Sequence, residues 1–412
     1  MISKHASVER SRLYLWQWLS VLLVCCTPTT GFCFQDDVTL LRTFRIPGNQ
    51  VDKSELDEMV APGVQHNLFG GISAMEYLGR DDLFLALPDR GPQDGAVDWD
   101  CRVHLLHIPL DGPSNPKISQ TSMLRDGDRQ FSGFYSRFKP TKNKTTRLDP
   151  EGIRLAGPEA FFLSDEYGPH VLKFSLTGAL QDRLAVPDRY QVAVPCKTKK
   201  EENAKNQTGR QGNRGMEGLA ISADQKTLFG LMQSPLLQDS ERDAKGKPQG
   251  LNCRLIAMQV ESREAKEFLY RLDSNKNKLN EILHLKDQQF LVIERDGKSG
   301  SKSRYKKIIK IDLAGASEVQ AIDKLPANEI PTGIQPVAKQ VFIDLLDNRF
   351  KLSGDEMPEK IESLTFGPDL PDGRRTLLVA SDNDFKTEQP TLIYCFAIGK
   401  TDSGESTRSA AN

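Results

Sequence analysis

A polar residue, usually glutamate, recurs at the start of similar segments spread along the chain. The leading residues of these segments are Ser73, Glu151, Glu217, Glu281 and Glu362. They are spaced by 78, 66, 64 and 81 residues. If equivalent carboxylates converge on one axis, they raise one another's pKa or require a cation, and oxygen ligands favour a hard cation such as calcium. We therefore predict a divalent-cation site, with calcium as the ion, held by Glu151, Glu217 and Glu362.

A structural role is the alternative for each of these glutamates. A repeated glutamate can cap its own repeat by accepting backbone N–H bonds, or it can pair with a repeated arginine. For Glu281, which lies in the weakest copy, the structural alternative is favoured. For the others both interpretations stay open, and the convergence of two or more of them would favour a functional site.

A second set of charged residues closes the same segments. Its members are Asp89-Arg90, Asp165-Glu166, Glu294-Arg295 and Asp382-Asn383-Asp384. Adjacent acidic and basic residues suit a polar or anionic substrate, since an arginine can donate to two oxygens at once. They also suit salt bridges between neighbouring repeats. The predicted substrate-binding residues are Asp89, Arg90, Arg295, Asp382 and Asp384.

Other catalytic signatures are weak in this sequence. There is no GxSxG elbow, no P-loop and no GxGxxG motif, so an α/β-hydrolase and nucleotide chemistry are not indicated. His66 and His170 stand near the acidic segments and could carry protons. A hydrogen-bonded structural histidine is the favoured interpretation of both.

The elements that must position these residues are short β-strands. Each segment predicts a strand, a tight turn and a second strand, with apolar runs such as LFLAL, AFFLS and TLLVA. Several strands per repeat, at a period near 65 residues, predict an all-β β-propeller with short irregular insertions. Five segments plus unassigned terminal strands predict six blades, and a β-sandwich pair is the alternative. Residues 338–346 are the one candidate helix.

Two stretches are predicted to be inserted loops. Residues 197–215 contain almost no apolar side chains and cannot bury a hydrophobic core. Residues 238–250 are similar and shorter. Asn143 and Asn206 begin matches to the N-glycosylation acceptor pattern.

Charge and the first residues restrict the class of protein. The 412 residues include 55 Lys+Arg and 56 Asp+Glu, a net charge of −1, which argues against a nucleic-acid partner. Lys4 and Arg10 precede an interrupted apolar run, as in an export signal, and the run is too short for a comfortable membrane span. We expect a signal peptide at 1–33, a propeller domain at 34–398 and a disordered tail at 399–412. The protein is expected to be secreted or periplasmic, monomeric and not integral to a membrane.

Four cysteines remain after the predicted cleavage. They are Cys101, Cys196, Cys253 and Cys395. Two disulfides and four buried thiols are both compatible with the sequence. No CxxC or Cys/His spacing indicates zinc.

Taken together, the segments resemble the phytase-like domain family, labelled "esterase-like activity of phytase". The matching phrases are LDPEGIR with FFLSDEYGPHVLKFSLTG, NRGMEGLAIS with LFGLMQSPL, FLVIERDG, and IESLTF with LLVASDNDF. The phrase LPDRGP fits the first member of the series. The resemblance runs from about Gly70 to Phe385, and its five ordered motifs make it specific.

The resemblance implies ester or phosphoester hydrolysis by the repeated acidic residues. Among these it implies Asp165, Glu166 and Glu294 as catalytic carboxylates, with Glu166 or Asp165 as the general base. The glutamate–glycine start of the repeat also looks like that of calcium-dependent lactonase propellers, a likeness of architecture only. The chain departs from the acidic pattern at Ser73 and at Gln233-Ser234, so a fully acidic ring is not expected.

Three functions follow as expectations. The first is a metal-dependent extracytoplasmic hydrolase of phosphate esters or other esters, acting on a small-molecule or polymeric substrate. The second is a non-enzymatic propeller that binds a ligand and keeps calcium for structure. The third is lactonase-type hydrolysis in the same channel.

Overall fold

Antiparallel sheets of four strands make up almost all of the molecule. The computed structural model describes residues 38–136 and 147–399, which belong to one compact unit. Five such sheets occur in these residues, and their first strands pack around a common axis as the blades of a propeller. The predicted β-propeller is therefore confirmed, but the expectation of six blades is wrong. The predicted signal peptide, Asn143 and residues 400–412 lie outside the described residues.

Each blade runs from an inner strand at the axis to an outer strand at the rim. Blade 1 consists of Ala74–Tyr77, Leu83–Leu87, Arg102–His107 and Lys117–Met123. Blade 2 consists of Pro150–Leu155, Ala160–Asp165, His170–Ser175 and Leu180–Leu184. Blade 3 consists of Met216–Ile221, Thr227–Met232, Asn252–Gln259 and Ala265–Arg271. Blade 4 consists of Asn277–Lys286, Gln289–Asp296, Lys306–Asp312 and Ala338–Asp344. Blade 5 consists of Lys360–Phe366, Arg375–Asp382, Thr391–Ile398 and Val38–Ile46.

Blade 5 closes the ring by joining the two ends of the described chain. Its outer strand, Val38–Ile46, precedes blade 1 in sequence and pairs antiparallel with Thr391–Ile398. Each of the five repeated segments opens one blade. The terminal strands complete the fifth blade, and for this reason no sixth blade forms.

Apolar side chains fill the spaces between adjacent blades. One such core joins Leu291 and Ile308 of blade 4 to Leu364 and Val379 of blade 5. The predicted helix at 338–346 is wrong, because Ala338–Asp344 is the outer strand of blade 4. This segment pairs along Lys306–Asp312, so tertiary strand pairing overrides its local periodicity.

Short elements connect the strands. The helices and helical turns are Pro92–Gly95, Asp188–Tyr190, Lys199–Lys205, Gly300–Lys302 and Asn348–Phe350. The two-stranded hairpins are Met59–Ala61 with Val64–Gln65, Arg125–Asp126 with Arg129–Gln130, and Glu241–Arg242 with Pro248–Gln249. None of the helices in the described residues is long and apolar enough to cross a membrane.

The inserted segment 197–215 is ordered by polar groups and not by an apolar core. Thr198 caps the helix Lys199–Lys205 by accepting a hydrogen bond from the backbone N–H of Glu201. Asn206 is buried, and its side-chain amide donates to the carbonyls of Val194 and Glu202 at 2.9 Å each. The folded protein therefore does not offer Asn206 to a glycosyltransferase.

The four cysteines of the propeller are buried free thiols. Cys101, Cys196, Cys253 and Cys395 form no disulfide with one another. Of the two sequence-based interpretations, the structure supports buried thiols that pack as small apolar side chains.

Candidate functional site

The inner strands of blades 2 to 5 begin with a β-bulge. In blade 2, Pro150 pairs with Asp165, and the next paired residue is Ile153 opposite Leu163. Two residues thus stand opposite one, which bends the strand and re-aims a side chain. The residue that follows the last pair before the bulge is equivalent in the four blades, and it is Glu151, Glu217, Asn280 and Glu362 in turn.

This register corrects the alignment of the fourth repeat. Leu279 is the last residue paired before the bulge there, so Asn280 and not Glu281 occupies the glutamate position. Glu281 takes the place of Gly152 and Gly218 in blades 2 and 3. In blade 1, Ser73 stands at the glutamate position, directly before the first paired residue Ala74. This position is therefore not acidic, as the sequence predicts.

A cavity of about 370 Å³ opens at this end of the propeller axis. The predicted site residues that line it are Arg90, Glu151, Glu166, Glu217, Arg295, Glu362 and Asp384. The other lining residues are Gln93, Asp94, Lys199, Asn213, Gln233, Lys278, Lys360 and Lys386. The structure therefore brings together acidic residues from blades 2, 3 and 5, but it places as many cationic as anionic side chains around them.

Glu151 has the least compensated carboxyl group of the cavity. It is 6% exposed, and no described residue gives it a hydrogen bond or an ion pair. Burial raises its pKa well above the usual range, and Glu217, Asp149, Glu166 and Glu362 raise it further. Its environment thus favours either a proton or a bound cation.

Glu217, on the next blade, is in a similar environment. Burial raises the pKa of its carboxyl well above the usual range, and Glu166 and Glu362 add to the effect. Gln233 donates a hydrogen bond to Oε1 of Glu217. No described cation forms an ion pair with this carboxylate.

Arg90 compensates a pair of carboxylates beside Glu151. Its Nη1 donates to Oδ2 of Asp149, and it lies 3.1 Å from Oε2 of Glu166. Gly215 donates its backbone N–H to Oε1 of Glu166 at 2.9 Å. Burial raises the pKa of Asp149, whereas Glu166, despite its burial, has its pKa lowered by Arg90 and by Asp149. Arg90 and Asp149 thus favour the charged form of Glu166, whereas burial favours the protonated form of Asp149.

The blade 4 side of the cavity is basic. Arg295 donates from Nη2 to Oε1 of Glu362 at 2.6 Å, and Asn280 donates to the same oxygen at 3.2 Å. The pKa of Lys278 is lowered to about 8, mainly by burial and then by the positive charges of Arg295 and Arg214. Glu217 raises this pKa, but by less. Glu362 is therefore an ion-paired carboxylate, unlike Glu151 and Glu217.

Lys360 is surrounded by acidic residues of blades 1 and 5. Its Nζ lies 2.7 Å from Asp382 and 3.6 Å from Asp89, and it also pairs with Asp384. Burial opposes ionisation of Asp384, but Lys360 lowers the pKa of this carboxyl to about 2. Three predicted substrate-binding residues thus share one cation, and of these only Asp384 lines the cavity.

Two predicted catalytic carboxylates lie away from the cavity. Asp165 accepts hydrogen bonds from the backbone N–H groups of Asp149, Tyr167 and Gly168 at 3.0 to 3.2 Å. Burial raises its pKa to about 6, against the effect of these bonds. Its oxygens shape the turn after the strand.

Glu294 is also occupied elsewhere. It accepts hydrogen bonds from Tyr270, Asn277 and Lys339 at 2.8 Å and from the backbone of Asp273 at 2.9 Å. These partners join blades 3 and 4. Of the three predicted catalytic residues, the structure places only Glu166 in the cavity.

His66 and His170 do not line the cavity. His66 pairs with Glu58 at 2.6 Å in a loop before blade 1. Burial lowers the pKa of His170. The structure gives neither a position from which to serve this site.

The sequence analysis did not identify the residue two places before Ser73 in blade 1 and before the bulged residue in each of the other blades. These residues are Gly71, Asp149, Gly215, Lys278 and Lys360 in blades 1 to 5. Alternate residues of a strand lie on the same face, so these side chains neighbour the glutamate ring. The signal was present in the phrases DPE, KLN and KIE.

Arg154 forms the floor of the site by filling the centre of the propeller. Its guanidinium donates to the carbonyls of Ile153 and Ile282 at 2.5 and 2.8 Å and lies 3.1 Å from Glu281. Weaker bonds of 3.4 to 3.5 Å reach backbone carbonyls in blades 1 and 5. Glu281 in turn accepts the backbone N–H of Leu219 in blade 3 at 3.1 Å. Inner strands of all five blades thus meet at this ion pair.

Within the described part of the chain, two groups of carboxylates have a spacing suited to a metal ion. One oxygen from each of Asp149, Glu151 and Glu166 lies within 4.8 Å of the others. The same holds for Asp89, Asp382 and Asp384, but Lys360 already supplies a cation there. Of the two, the group that contains Glu151 is the better candidate.

A family match covers all five repeats. The phytase-like family, described as "Esterase-like activity of phytase", matches residues 67–385. The chain belongs to this family. The matched range includes every residue of the cavity except Lys386, which follows its last residue.

Similar proteins add little about chemistry to this phytase-like assignment. An "Uncharacterized secreted protein" of Arthroderma benhamiae is 27% identical over 74% of this chain and 78% of its own. A protein of unknown function from Dyadobacter fermentans matches 88% of this chain and 100% of its own, with 10% identity and a TM-score of 0.40. An endo-arabinase from Bacteroides thetaiotaomicron matches 87% and 98%, with 11% identity and a TM-score of 0.39. Both structural likenesses are weak.

Proposed function

We propose that this phytase-like protein is an extracytoplasmic, divalent-cation-dependent hydrolase of phosphate esters or other esters. The reaction would take place in the axial cavity. The observation that carries the proposal is Glu151, a buried carboxyl group without a partner among other carboxylates. The family description and the secreted relative support the reaction class and the location.

The residues present fit a hard cation. Glu151, Asp149 and Glu166 offer oxygens within 4.8 Å of one another, and two oxygens that bind calcium at 2.3 to 2.6 Å are separated by at most about 5 Å. Such an ion would polarise the ester oxygen. Glu151 would be its principal ligand, since Arg90 already compensates the other two carboxylates in part.

Glu217 is the best placed residue to carry a proton. One of its oxygens accepts from Gln233, and the side chain lines the cavity on the blade next to Glu151. Burial and neighbouring carboxylates raise its pKa, so neutralising those carboxylates with a cation returns the pKa toward neutral. A carboxylate with such a pKa suits a general base that takes a proton from the attacking water. This role replaces the metal-ligand role expected from the repeat.

Cation binding and turnover test the proposal together. The metal content of dialysed protein and calcium and magnesium affinities by calorimetry would be measured for wild type, Glu151→Gln and Glu76→Gln. Glu76 is a matched control, because it lies on the inner strand of blade 1 outside the cavity. We expect one cation in wild type and Glu76→Gln and at least tenfold weaker binding in Glu151→Gln. Failure of wild type to bind any divalent cation at millimolar concentration would contradict the proposal.

Hydrolysis would be followed with nitrophenyl phosphate, nitrophenyl acetate and a lactone. We expect turnover that chelation abolishes and calcium or magnesium restores, and that Glu217→Gln lowers by at least a hundredfold without loss of cation binding. Turnover that survives both chelation and Glu217→Gln would refute the assigned roles.

Ligand binding without turnover is a second candidate function. It is favoured by the ion pairs that already compensate Glu166, Glu362 and Asp384. In that case chelation would lower the melting temperature, while none of the ester substrates would be hydrolysed.

A further inference from the structure

The residue two places before the ring position, together with the residue that faces it, distinguishes blade 4 from blades 2, 3 and 5. In blade 2 the facing pair at the cavity is Asp149 and Glu166, in blade 3 it is Gly215 and Gln233, and in blade 5 it is Lys360 and Asp382. In blade 4, Lys278 faces Arg295 directly. Blade 4 thus holds two cations at a position where the other blades hold acidic, neutral or opposite charges.

Stability does not explain this pair of cations. Like charges directly opposite each other on antiparallel strands are destabilising, and burial increases the effect. The acidic pair of blade 2 has its own counter-ion, Arg90. In the basic pair of blade 4, Glu362 binds Arg295, and Glu217 acts on Lys278 only at a distance, without an ion pair. Lys278 forms no ion pair with any described residue.

Arg295 retains hydrogen-bonding capacity of its own. It is 2% exposed, and it uses Nη2 for Glu362 and Nη1 for the carbonyl of Asp296. Its Nε–H has no partner. A buried donor without a partner destabilises the fold, and an oxyanion bound beside Arg295 would relieve part of this cost through the guanidinium.

We infer that Lys278 and Arg295 form an oxyanion-binding subsite in the axial cavity, separate from the carboxylates around Glu151. Arg214 adds positive charge near it, since Arg214 lowers the pKa of the same lysine. The ligand class is an organic anion that carries a phosphoryl or similar oxyanion group. As a statement about substrate this rests on the proposed hydrolase function: the bound oxyanion holds the molecule while a different ester bond reaches Glu151 and Glu217.

The arrangement of charge supports this division of the cavity. An oxyanion beside Glu151 would meet a carboxyl group that has no ion-pair partner among the described residues, whereas beside Lys278 and Arg295 it meets two cations that Glu217 and Glu362 balance only in part. A cavity of about 370 Å³ is at the lower end of the range for small-molecule sites, so one compact ligand can span both groups.

Calorimetric titration of metal-free protein with inorganic phosphate tests the subsite without turnover or a divalent cation. The variants are Lys278→Met, Lys278→Arg and Lys199→Met. Lys199 is the matched control, since it lines the same cavity but is paired with Asp94. We expect Lys278→Met to weaken phosphate binding at least tenfold, and Lys278→Arg and Lys199→Met to change it less than threefold. Equal affinity in wild type and Lys278→Met, or no binding to wild type at 10 mM phosphate, would overturn the subsite.

Thermal melting separates binding from a structural role. Removing one of two facing cations relieves repulsion, so Lys278→Met should melt at or above the wild-type temperature in phosphate-free buffer. A lower melting temperature would show that Lys278 stabilises the fold and would overturn the inference.

The source of the oxyanion is distinguished by a second ligand. Glycerol 2-phosphate that binds more tightly than inorganic phosphate supports an organic phosphate ligand, and weaker binding would overturn the substrate class. The protein could bind phosphate through Lys278 and yet hydrolyse none of the ester substrates. That result would support the oxyanion subsite and contradict the proposed hydrolase function.

Discussion

Replacing Arg154 tests whether one ion pair holds the centre of the propeller together. Arg154→Met keeps an unbranched side chain of comparable length but removes every N–H donor of the guanidinium. Glu281 and Glu76 then lose their cation, which lies 3.1 and 3.5 Å from them. Backbone carbonyls of four inner strands lose a donor at the same time.

The expected cost follows from burial. Arg154 is 2% exposed and Glu281 is fully buried, and removal of one partner from a buried ion pair costs roughly 3 to 5 kcal/mol. Folded proteins are stable by about 5 to 15 kcal/mol, so the variant should lose a large fraction of its stability. We therefore expect the free energy of unfolding to fall by about 4 kcal/mol at pH 9, where the carboxyl of Glu281 is ionised beside Arg154.

Equilibrium urea unfolding, followed by tryptophan fluorescence and circular dichroism, measures this loss. Coincidence of the two transitions checks two-state behaviour. The companion variant is Glu281→Gln, which keeps an acceptor for the backbone N–H groups of Leu219 and Ile282. Because the double variant leaves no unpaired buried charge at this position, it should lose at least 1 kcal/mol less than the sum of the single losses.

The loss should also depend on pH. Burial raises the pKa of Glu281 from 4.5 to about 8 in spite of Arg154, so the folded state binds more protons than the unfolded state between these values. Stability from this group therefore falls as pH rises toward 8. Without Arg154 the folded pKa rises further, and the fall continues above pH 8. A loss below 1 kcal/mol at pH 9, or additive single effects, would refute the role of Arg154.

Other predictions concern the closure of the ring and its buried groups. Deletion of Val38–Ile46 should lower the melting temperature by at least 10 °C, because blade 5 then loses its outer strand; an unchanged melting curve would contradict this closure. Lys360→Met should destabilise the protein more at pH 8 than at pH 5, since its carboxylate partners can take up protons at the lower pH; urea midpoints at both values would show it. Asn206→Asp should destabilise the fold, because a carboxylate cannot donate to the carbonyls of Val194 and Glu202; an unchanged urea midpoint would contradict this. The four propeller cysteines should react with a thiol reagent only after denaturation, and recovery of fewer than four thiols would indicate a disulfide.

The sequence by itself determined the fold class, the family and several residues of the cavity. Alternating apolar runs and five ordered motifs indicated a propeller, because strand patterns and tight turns are encoded locally. The repeated glutamates Glu151, Glu217 and Glu362 were recognisable for the same reason. Glu166 and Arg295 were also recognisable, because they lie at the ends of the second strands of blades 2 and 4, beside the cavity.

Tertiary structure decided the blade number, the register and the balance of charge. The terminal strands complete blade 5 because Val38–Ile46 pairs with Thr391–Ile398, a contact between distant parts of the chain. The bulge in blade 4 places Asn280 in the ring and turns Glu281 toward Arg154, and one residue of register separates the two outcomes.

Packing also decided which charges meet. Glu294 looked equivalent to Asp165 as a site residue, yet its oxygens are occupied by four donors between blades 3 and 4. Lys278 and Lys360 stand two places before the ring residues in sequence, but which charges they meet was decided only when five inner strands converged. Charge balance in a cavity depends on distances between strands that are far apart in sequence, and local patterns do not contain those distances.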